Sequence, residues 1–421
     1  MFSRVKRVGP VAAISMLAIV GLTLTACTGS NAGSGNSDQS TVSPEIATSI
    51  DDAVANALAL SGSTEAVVGV WQGDDAAYVR GFGDGVSAAT KFRGAQASQP
   101  VVCALLLDAV GRGELSLGRK VSEDLPRQAG IQDVTYGQLC DQTSGLADFK
   151  AGFTDRFANN PTRPWPEQEL LANGLASSPL PWPGANVYLS DTNAVLLDRA
   201  IRLNTRDDSA ELLKRHVFEP AGMAATSYPT NFGSTELPEG SLKPLTYPAS
   251  GGAAVCEAGV TEVSALSPSM MRGAGATLTT VTDLRDFYTK FLSGGFGDEK
   301  TSQVVTEFQP AKNPERDEAG EPTTEPDTEG RQIGFGVEKV GPLVGRSGAM
   351  TGSLTAAYSD PATGLTVVVA LNNSSAGAGF AQALAFQLAA LTGAELPWSA
   401  DDQGARLTEL AVCQGEAEAA G

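Results

Sequence analysis

The sequence predicts an α/β domain in which an antiparallel sheet is flanked by helices, with a helical subdomain inserted between its two halves. Strand patterns occur near both ends of the chain, whereas the long middle part carries mostly helical patterns and many Pro and Gly residues. The 421 residues are 42% hydrophobic and 18% charged, which is enough apolar sequence to form a sizeable core. No repeat period is visible, so the pattern indicates one interrupted domain.

The first elements have clear local signals. Ile46, Ile50, Val54 and Leu58 recur every four residues and predict a helix from residue 45 to about 60. Two alternating segments then predict a hairpin around Gly73-Asp74-Asp75. The two strands are predicted at Ala66 to Gln72 and Ala76 to Phe82. A buried helix that begins with a proline is predicted at Pro100 to Gly111.

The later elements complete the sheet. Thr280, with Asp283 three residues further on, resembles a capping box and predicts a helix to about Leu292. Two strands and a terminal helix follow, predicted at Ser353 to Ser359, Leu365 to Asn372 and Ala376 to Leu391. The helical subdomain spans roughly residues 115–270. Residues 313–330 are acidic, Pro-rich and without apolar anchors, which predicts a disordered surface insertion, with an acidic binding loop as the alternative.

The N-terminus has the pattern of an export signal. Arg4, Lys6 and Arg7 precede an apolar run over residues 8–24, which is short for a permanent membrane span. Leu24-Thr25-Ala26-Cys27 resembles a bacterial lipobox, and an ordinary cleavage site is the alternative. We therefore expect a signal peptide over residues 1–26, lipid on Cys27 and a Ser/Gly-rich flexible tether over residues 27–44. The expected location is the cell envelope, on the outer face of the cytoplasmic membrane, held there by the lipid.

The charge excludes several functions. With 29 basic and 48 acidic residues the net charge is −19, and it becomes −22 once the three basic residues of the signal are removed. Nucleic-acid binding is not expected, because phosphate contacts need a basic surface. His216 is the only histidine, so His-rich metal sites are excluded, and no metal or other cofactor is predicted.

The remaining cysteines suggest disulfides. Cys103, Cys140, Cys256 and Cys413 form an even set in a chain that is expected to be exported. Four cysteines allow three pairings, and buried free thiols are the alternative.

Several segments match, in order, the motifs of one enzyme family. They are Phe92-Arg93, Gly113 to Leu117, the "TSGL" loop Thr143 to Leu146, Phe218 to Met223, Gly275 to Leu284 and the hairpin Ser353 to Asn372. Together they resemble the serine β-lactamase and D-alanyl-D-alanine carboxypeptidase family, especially its class C-like branch. The resemblance covers residues 45–392 and leaves residues 393–421 as a C-terminal tail. The resemblance implies a β-lactamase/transpeptidase-like fold. It also implies the pairings Cys103–Cys140, because the TSGL loop packs near the nucleophile helix in the family, and Cys256–Cys413, which would pin the tail.

The three catalytic motifs of that family are all degenerate here. The S-x-x-K positions of nucleophile and base fall on Gln96 and Gln99. The Y-x-N positions fall on Leu189 and Asp191. Arg346-Ser347-Gly348 stands where the family has a Lys or His, then Thr or Ser, then Gly. Glutamine is neither nucleophile nor base, leucine cannot transfer a proton, and arginine stays protonated.

Other residues could in principle replace the lost groups. Ser98 is an alternative nucleophile, although it should point away from the helix face that the motif uses. A one-residue shift would put Tyr188 in the tyrosine position and Ser190 in the amide position. His216 is expected to be a surface or helix-end residue.

The coherent loss of three motifs predicts a catalytically inactive binding or regulatory module in cell-wall or envelope-glycolipid assembly. Its expected partner is an envelope-assembly protein or a cell-wall or glycolipid ligand, and Arg346 could hold an anionic group of such a ligand. The alternative is a residual serine hydrolase, of carboxypeptidase or esterase type, with a non-standard nucleophile.

Overall fold

A nine-stranded antiparallel sheet forms the centre of the computed structural model. Its strands are β1 (Gln39–Ser40), β2 (Ala66–Gln72), β3 (Ala76–Phe82), β4 (Phe308–Pro310), β5 (Gln332–Gly334), β6 (Glu338–Val340), β7 (Leu343–Met350), β8 (Ser353–Ser359) and β9 (Leu365–Leu371). Their order is β1-β3-β2-β9-β8-β7-β6-β5-β4. The N-terminal and C-terminal parts therefore meet at the β2–β9 pair, where Val68 lies opposite Val369. This arrangement confirms the predicted fold class.

The structure describes residues 38–73, 75–177, 182–315, 317, 323–325 and 330–414. The predicted signal peptide, Cys27, most of the tether, Asp74 in the predicted hairpin turn, much of the acidic insertion and the last residues of the tail lie outside the described residues. Within the described residues, no helix is both long and apolar enough to cross a membrane.

Helices cover both faces of the sheet because each long strand alternates its buried side chains between the two faces. One face packs against α1 (Pro44–Ser61) and α9 (Ala378–Leu391), with Val68 and Val369 touching this layer. The other face packs against α2 (Pro100–Gly111) and α8 (Val281–Leu292), with Val67 and Val368 in that core. The predicted N-cap of α8 is present, since the Thr280 hydroxyl accepts the Asp283 amide at 3.2 Å.

The helical subdomain lies between β3 and β4 in the chain. Its helices are α3 (Tyr136–Cys140), α4 (Thr154–Asn159), α5 (Glu167–Ala176), α6 (Asp191–Thr205) and α7 (Ser209–Leu213). Residues 219–270 contain no α-helix; they form turns and pairs of two-residue strands instead. The predicted helical character therefore holds for the first part of the subdomain and not for its end.

The chain ends differ from expectation. The predicted flexible tether does not reach residue 44, because β1 joins the sheet beside β3. Asp38 fixes this segment by accepting the backbone amides of Gly81 and Ala88. The C-terminal tail contains a further helix, α10 (Ala400–Glu409), which begins with a capping box of Ser399 and Asp402.

Both expected disulfides are present. Cys103 of α2 is bonded to Cys140 at the end of α3, and Cys256 is bonded to Cys413 in the tail. The first disulfide is buried and joins the helix that follows Gln96 to the segment that precedes the TSGL loop. It therefore holds together two of the segments that build the candidate site.

We expect the double variant Cys103→Ala/Cys140→Ala to unfold more easily. Losing this cross-link frees a loop in the unfolded chain, which should lower the free energy of unfolding by about 2 to 4 kcal/mol. Urea denaturation without reductant measures the change. Addition of reductant to the wild type should reproduce part of it, whereas an unchanged midpoint in the variant would contradict a structural role.

Candidate functional site

A polar pocket of about 200 Å³ lies where β7, the start of α6 and the segment after the TSGL loop meet. Its lining combines three acidic and three basic side chains with small and amide groups. The lining residues are Gln96, Asp148, Lys150, Leu189, Ser190, Asp191, Arg331, Glu338, Arg346, Ser347 and Ala378. The structure thus brings together residues from all three degenerate motifs, which are far apart in the sequence.

Two glutamines from the first motif bind the carboxylate of the second. Gln96 donates from Nε2 to Asp191 Oδ2 at 2.5 Å, and Gln99 donates from Nε2 to Asp191 Oδ1 at 3.0 Å. Gln96 lies on a 3₁₀ turn directly before α2, while Asp191 is the first residue of α6. All three side chains are buried. Each amide donates to a different oxygen of one carboxylate, so the three residues form one network, in which Gln99 Oε1 is buried without a hydrogen-bond partner among the described residues.

The oxygen of the same Gln96 carboxamide is bound to β7. The backbone amide of Ala349 donates to Gln96 Oε1 at 2.9 Å. A backbone N–H that points into a pocket at this distance is the type of donor that stabilises an oxyanion in acyl transfer. Here its acceptor is the carboxamide of Gln96 itself.

Gly348 permits this close approach of β7 to the turn. A Cβ at this position would lie 2.2 Å from the Gln96 backbone nitrogen and 2.6 Å from its Oε1. Gly348, predicted from the sequence to lie in the pocket, is absent from the pocket lining and acts sterically: only a residue without a side chain allows the strand to contact Gln96.

Ser98 lies outside the pocket. Its side chain is fully buried, and its hydroxyl donates to the carbonyl of Ala95 at 2.9 Å. The hydroxyl is thus engaged within its own turn, as expected from its position on the helix.

The loop before α6 orients the second motif. Gln142 anchors it: its carbonyl accepts the Tyr188 amide at 2.9 Å, and its side-chain oxygen accepts the Ser190 amide at 2.9 Å. Leu189 lines the pocket and is 39% exposed, whereas Tyr188 is absent from the lining. Asp191, and not Ser190, contacts the two glutamines, which agrees with the ungapped alignment of the motif.

Arg346 is a buried cation beside the pocket. It is 7% exposed, and its guanidinium makes a long contact, 3.5 Å from Nη1 to the carbonyl of Gly336. Among the described residues, no carboxylate lies within 4 Å of its guanidinium. Arg346 therefore remains a candidate to bind an anion, as the sequence suggested.

Four charged residues of the pocket were missed at the sequence level. Asp148 and Lys150 follow the TSGL motif closely. This position next to a family motif is the signal by which the sequence could have identified them. Arg331 and Glu338 form an ion pair at the edge of the sheet. Asp148 accepts the backbone amides of Asp191 and Lys150, both at 3.1 Å.

Burial, and after it the neighbouring Asp191 carboxylate, raise the pKa of Asp148 to about 6. A carboxyl whose pKa is higher in the folded than in the unfolded state favours folding at low pH. This contribution is lost as the pH rises from about 4 towards 6.

We therefore expect Asp148→Asn to raise the free energy of unfolding at pH 7 by about 1 to 3 kcal/mol. The asparagine oxygen can still accept both backbone amides, and the difference from the wild type should vanish near pH 4. Denaturation at several pH values measures this. The exposed Asp84→Asn is the control for the charge change, and a constant difference across this pH range would contradict the assignment.

The single histidine lies elsewhere. His216 contacts Arg112, with 2.8 Å between its Nδ1 and NH1, and Asp108. Burial and the positive charge of Arg112 lower its pKa. It is absent from the pocket lining. The described residues also contain no group of three or more His, Cys, Asp or Glu side chains that could hold a metal ion.

Comparison with known proteins agrees with this geometry. The D-stereospecific amidohydrolase from Streptomyces sp. superposes with a TM-score of 0.64 at 22% identity, covering 79% of this chain and 94% of that one. The D-amino acid amidase from Ochrobactrum anthropi SV3 gives a TM-score of 0.62 at 19% identity, covering 78% and 90%. The penicillin-binding protein from Bacillus halodurans gives 0.60 at 16%, covering 79% and 95%. At these identities the likeness shows a shared fold.

The Beta-lactamase family model matches residues 50–392, which is most of the chain and includes every residue of the pocket. This chain therefore belongs to the β-lactamase family.

Proposed function

We propose that this protein is a catalytically inactive member of its family that acts as a binding or regulatory module in bacterial cell-wall or envelope-glycolipid assembly. The observation that carries the proposal is the position of the Gln96 carboxamide. It bonds to Asp191 on one side of the pocket and to the backbone amide of Ala349 on the other. These two bonds support the proposal that the Gln96 side chain occupies the space that an attacking serine and a substrate carbonyl would need.

The chemistry of these groups supports the same conclusion. Covalent acyl transfer needs a nucleophile and a group that takes its proton. Gln96 and Gln99 supply neither, and Leu189 cannot replace a tyrosine in moving a proton. The amide of Ala349 is already bonded, so a bound carbonyl oxygen would have to displace Gln96 before receiving its hydrogen bond.

The pocket nevertheless retains features of a binding site. It is open to solvent at Leu189, and Lys150 and Arg346 are two of the three cations that face three carboxylates in its lining. An anionic group of a cell-wall peptide or glycolipid is the ligand type that such cations recognise. We further propose that the protein is exported and anchored through lipid on Cys27, which would place this pocket at the membrane surface where envelope precursors are assembled.

A residual hydrolase that uses Ser98 is the competing function, and D-amino-acid amides are its natural test substrates given the fold neighbours. The hydroxyl of Ser98 is buried and bonded to Ala95, which disfavours attack on any ligand in the pocket. Incubation with a fluorophosphonate probe tests the two functions. We expect no labelling of the wild type; labelling that disappears in Ser98→Ala would favour the hydrolase.

A further inference from the structure

A second cavity, of about 260 Å³, adjoins the polar pocket and shares Lys150 and Ala378 with it. Small side chains keep it open, and two aromatic rings, those of Phe157 and Tyr247, and one methionine close it. We call it the alanine-lined cavity; its apolar lining comprises Phe157, Ala158, Ala249, Ala253, Ala254, Ala349, Met350 and Ala378.

The outer wall of this cavity is held in a defined position. Asp155 of α4 accepts the backbone amides of Gly251 and Gly252 at 2.9 Å or less. Asn159, also on α4, exchanges two hydrogen bonds with the backbone of Ala249, at 2.7 and 2.9 Å. The Cys256–Cys413 disulfide fixes the chain just beyond this wall. The cavity is therefore part of the fold.

Part of the polar lining is bonded within the protein. Four hydroxyls bond to backbone groups: those of Thr154 and Thr246 donate, and those of Ser374 and Ser375 accept. A peptide ligand would need a partner for each of its amides, since unpaired amides are costly to bury, and the alanine side chains of the lining offer none. An alkyl chain needs none and gains free energy from each methylene removed from water.

Lys150 marks the junction of the two cavities. Its ammonium donates to the carbonyl of Ala349 and has two further hydrogens to offer. The helix α9 begins at the same place, with neither a side-chain cap nor an acidic residue in its first turn, so its end adds positive potential. Asp148 is the acidic residue nearest in the chain and lines only the polar pocket.

We propose that the joined cavities bind an acyl chain that ends in a carboxylate, with the alkyl part in the alanine-lined cavity and the carboxylate on Lys150. This inference rests on the proposed binding function and gives it a ligand class. The cavity has room for an alkyl chain of medium length. Lys150 lies at the junction with the polar pocket, where the carboxylate of the chain can stay in polar surroundings.

Calorimetric titration of the full chain with butanoate, hexanoate, octanoate and decanoate, each below its micelle concentration, tests the proposal. Each added methylene should tighten binding about threefold to fourfold until the cavity is full. 1-Octanol, which has the same chain without the charge, should bind at least about tenfold more weakly than octanoate.

Two variants with matched controls localise the site. Ala254→Trp should fill the cavity and weaken octanoate binding at least tenfold, whereas Ala258→Trp, on the same segment but outside the lining, should not. Lys150→Met should reduce octanoate binding to the level of 1-octanol, and the exposed Lys214→Met should leave it unchanged.

Affinity that does not depend on chain length, or acetyl-D-alanyl-D-alanine binding more tightly than octanoate, would overturn the acyl assignment. Either result would leave a non-catalytic role intact. The non-catalytic role fails only if the protein forms a covalent adduct or turns over a substrate. The titration measures neither, so the two failures can be told apart.

Discussion

The double variant Gln96→Ser/Gln99→Lys should become acylated by β-lactams, whereas the wild type should not. The two substituted side chains would stand one turn apart, so that the neutral lysine amine can take the serine proton. The lysine would face Asp191, which now binds Gln99 and whose negative charge favours the protonated ammonium, so acylation should be faster at alkaline pH. Removal of the Gln96 carboxamide would also free the Ala349 amide for the lactam oxygen. Acylation should be at least about a thousandfold faster than in the wild type, as followed by intact-protein mass.

Gln96→Ala/Gln99→Lys is the matched control, because it empties the same space without supplying a nucleophile. It should remain unmodified. If the double variant is folded by circular dichroism and still gains no adduct, then Gln96 and Gln99 do not occupy the positions of nucleophile and base, and the alignment of the first motif is wrong.

Gly348→Ala should cause the largest loss of stability of any single methyl addition in the site. The new Cβ would lie 2.2 Å from the backbone nitrogen of Gln96, so β7 and the turn must separate. We expect the free energy of unfolding to fall by about 3 kcal/mol or more, since the clash involves backbone and cannot be relieved by a side-chain rotation. Chemical denaturation measures the change.

Gly118→Ala provides the comparison, because a Cβ at Gly118 meets no atom within 4 Å. Its effect should stay within about 0.5 kcal/mol. Equal stabilities for the two variants would show that β7 does not approach Gln96 as closely as the structure has it.

The sequence was most informative where local patterns act over short distances. The apolar spacing that begins at Ile46 predicted α1, and Pro100 marked the start of α2. Alternation predicted β2 and β3 with their observed bounds. The edge strand β1 escaped prediction because its two residues carry no pattern, and the Asp38 contacts that fix it come from residues more than forty positions away.

The candidate site shows the same difference between contacts that local patterns predict and contacts between distant residues. Counting from motifs located Gln96, Gln99 and Asp191, and the structure brings these three into contact. The bond between Gln96 and Ala349 could not be predicted, because it joins residues 253 positions apart and depends on the register of β7. Lys150 and Ala378 were missed for a related reason: each acquires its role from the meeting of two cavities, which no local pattern encodes.

The most direct test of the central claim is the intact mass of the wild-type protein after long incubation with a fluorescent penicillin. Under the proposed function, Gln96 stands in the position of the nucleophile and accepts the Ala349 amide, which would otherwise be free for the lactam oxygen. We therefore expect the unmodified mass and no fluorescence on the denatured protein. A stoichiometric adduct at any residue of the pocket would contradict the account.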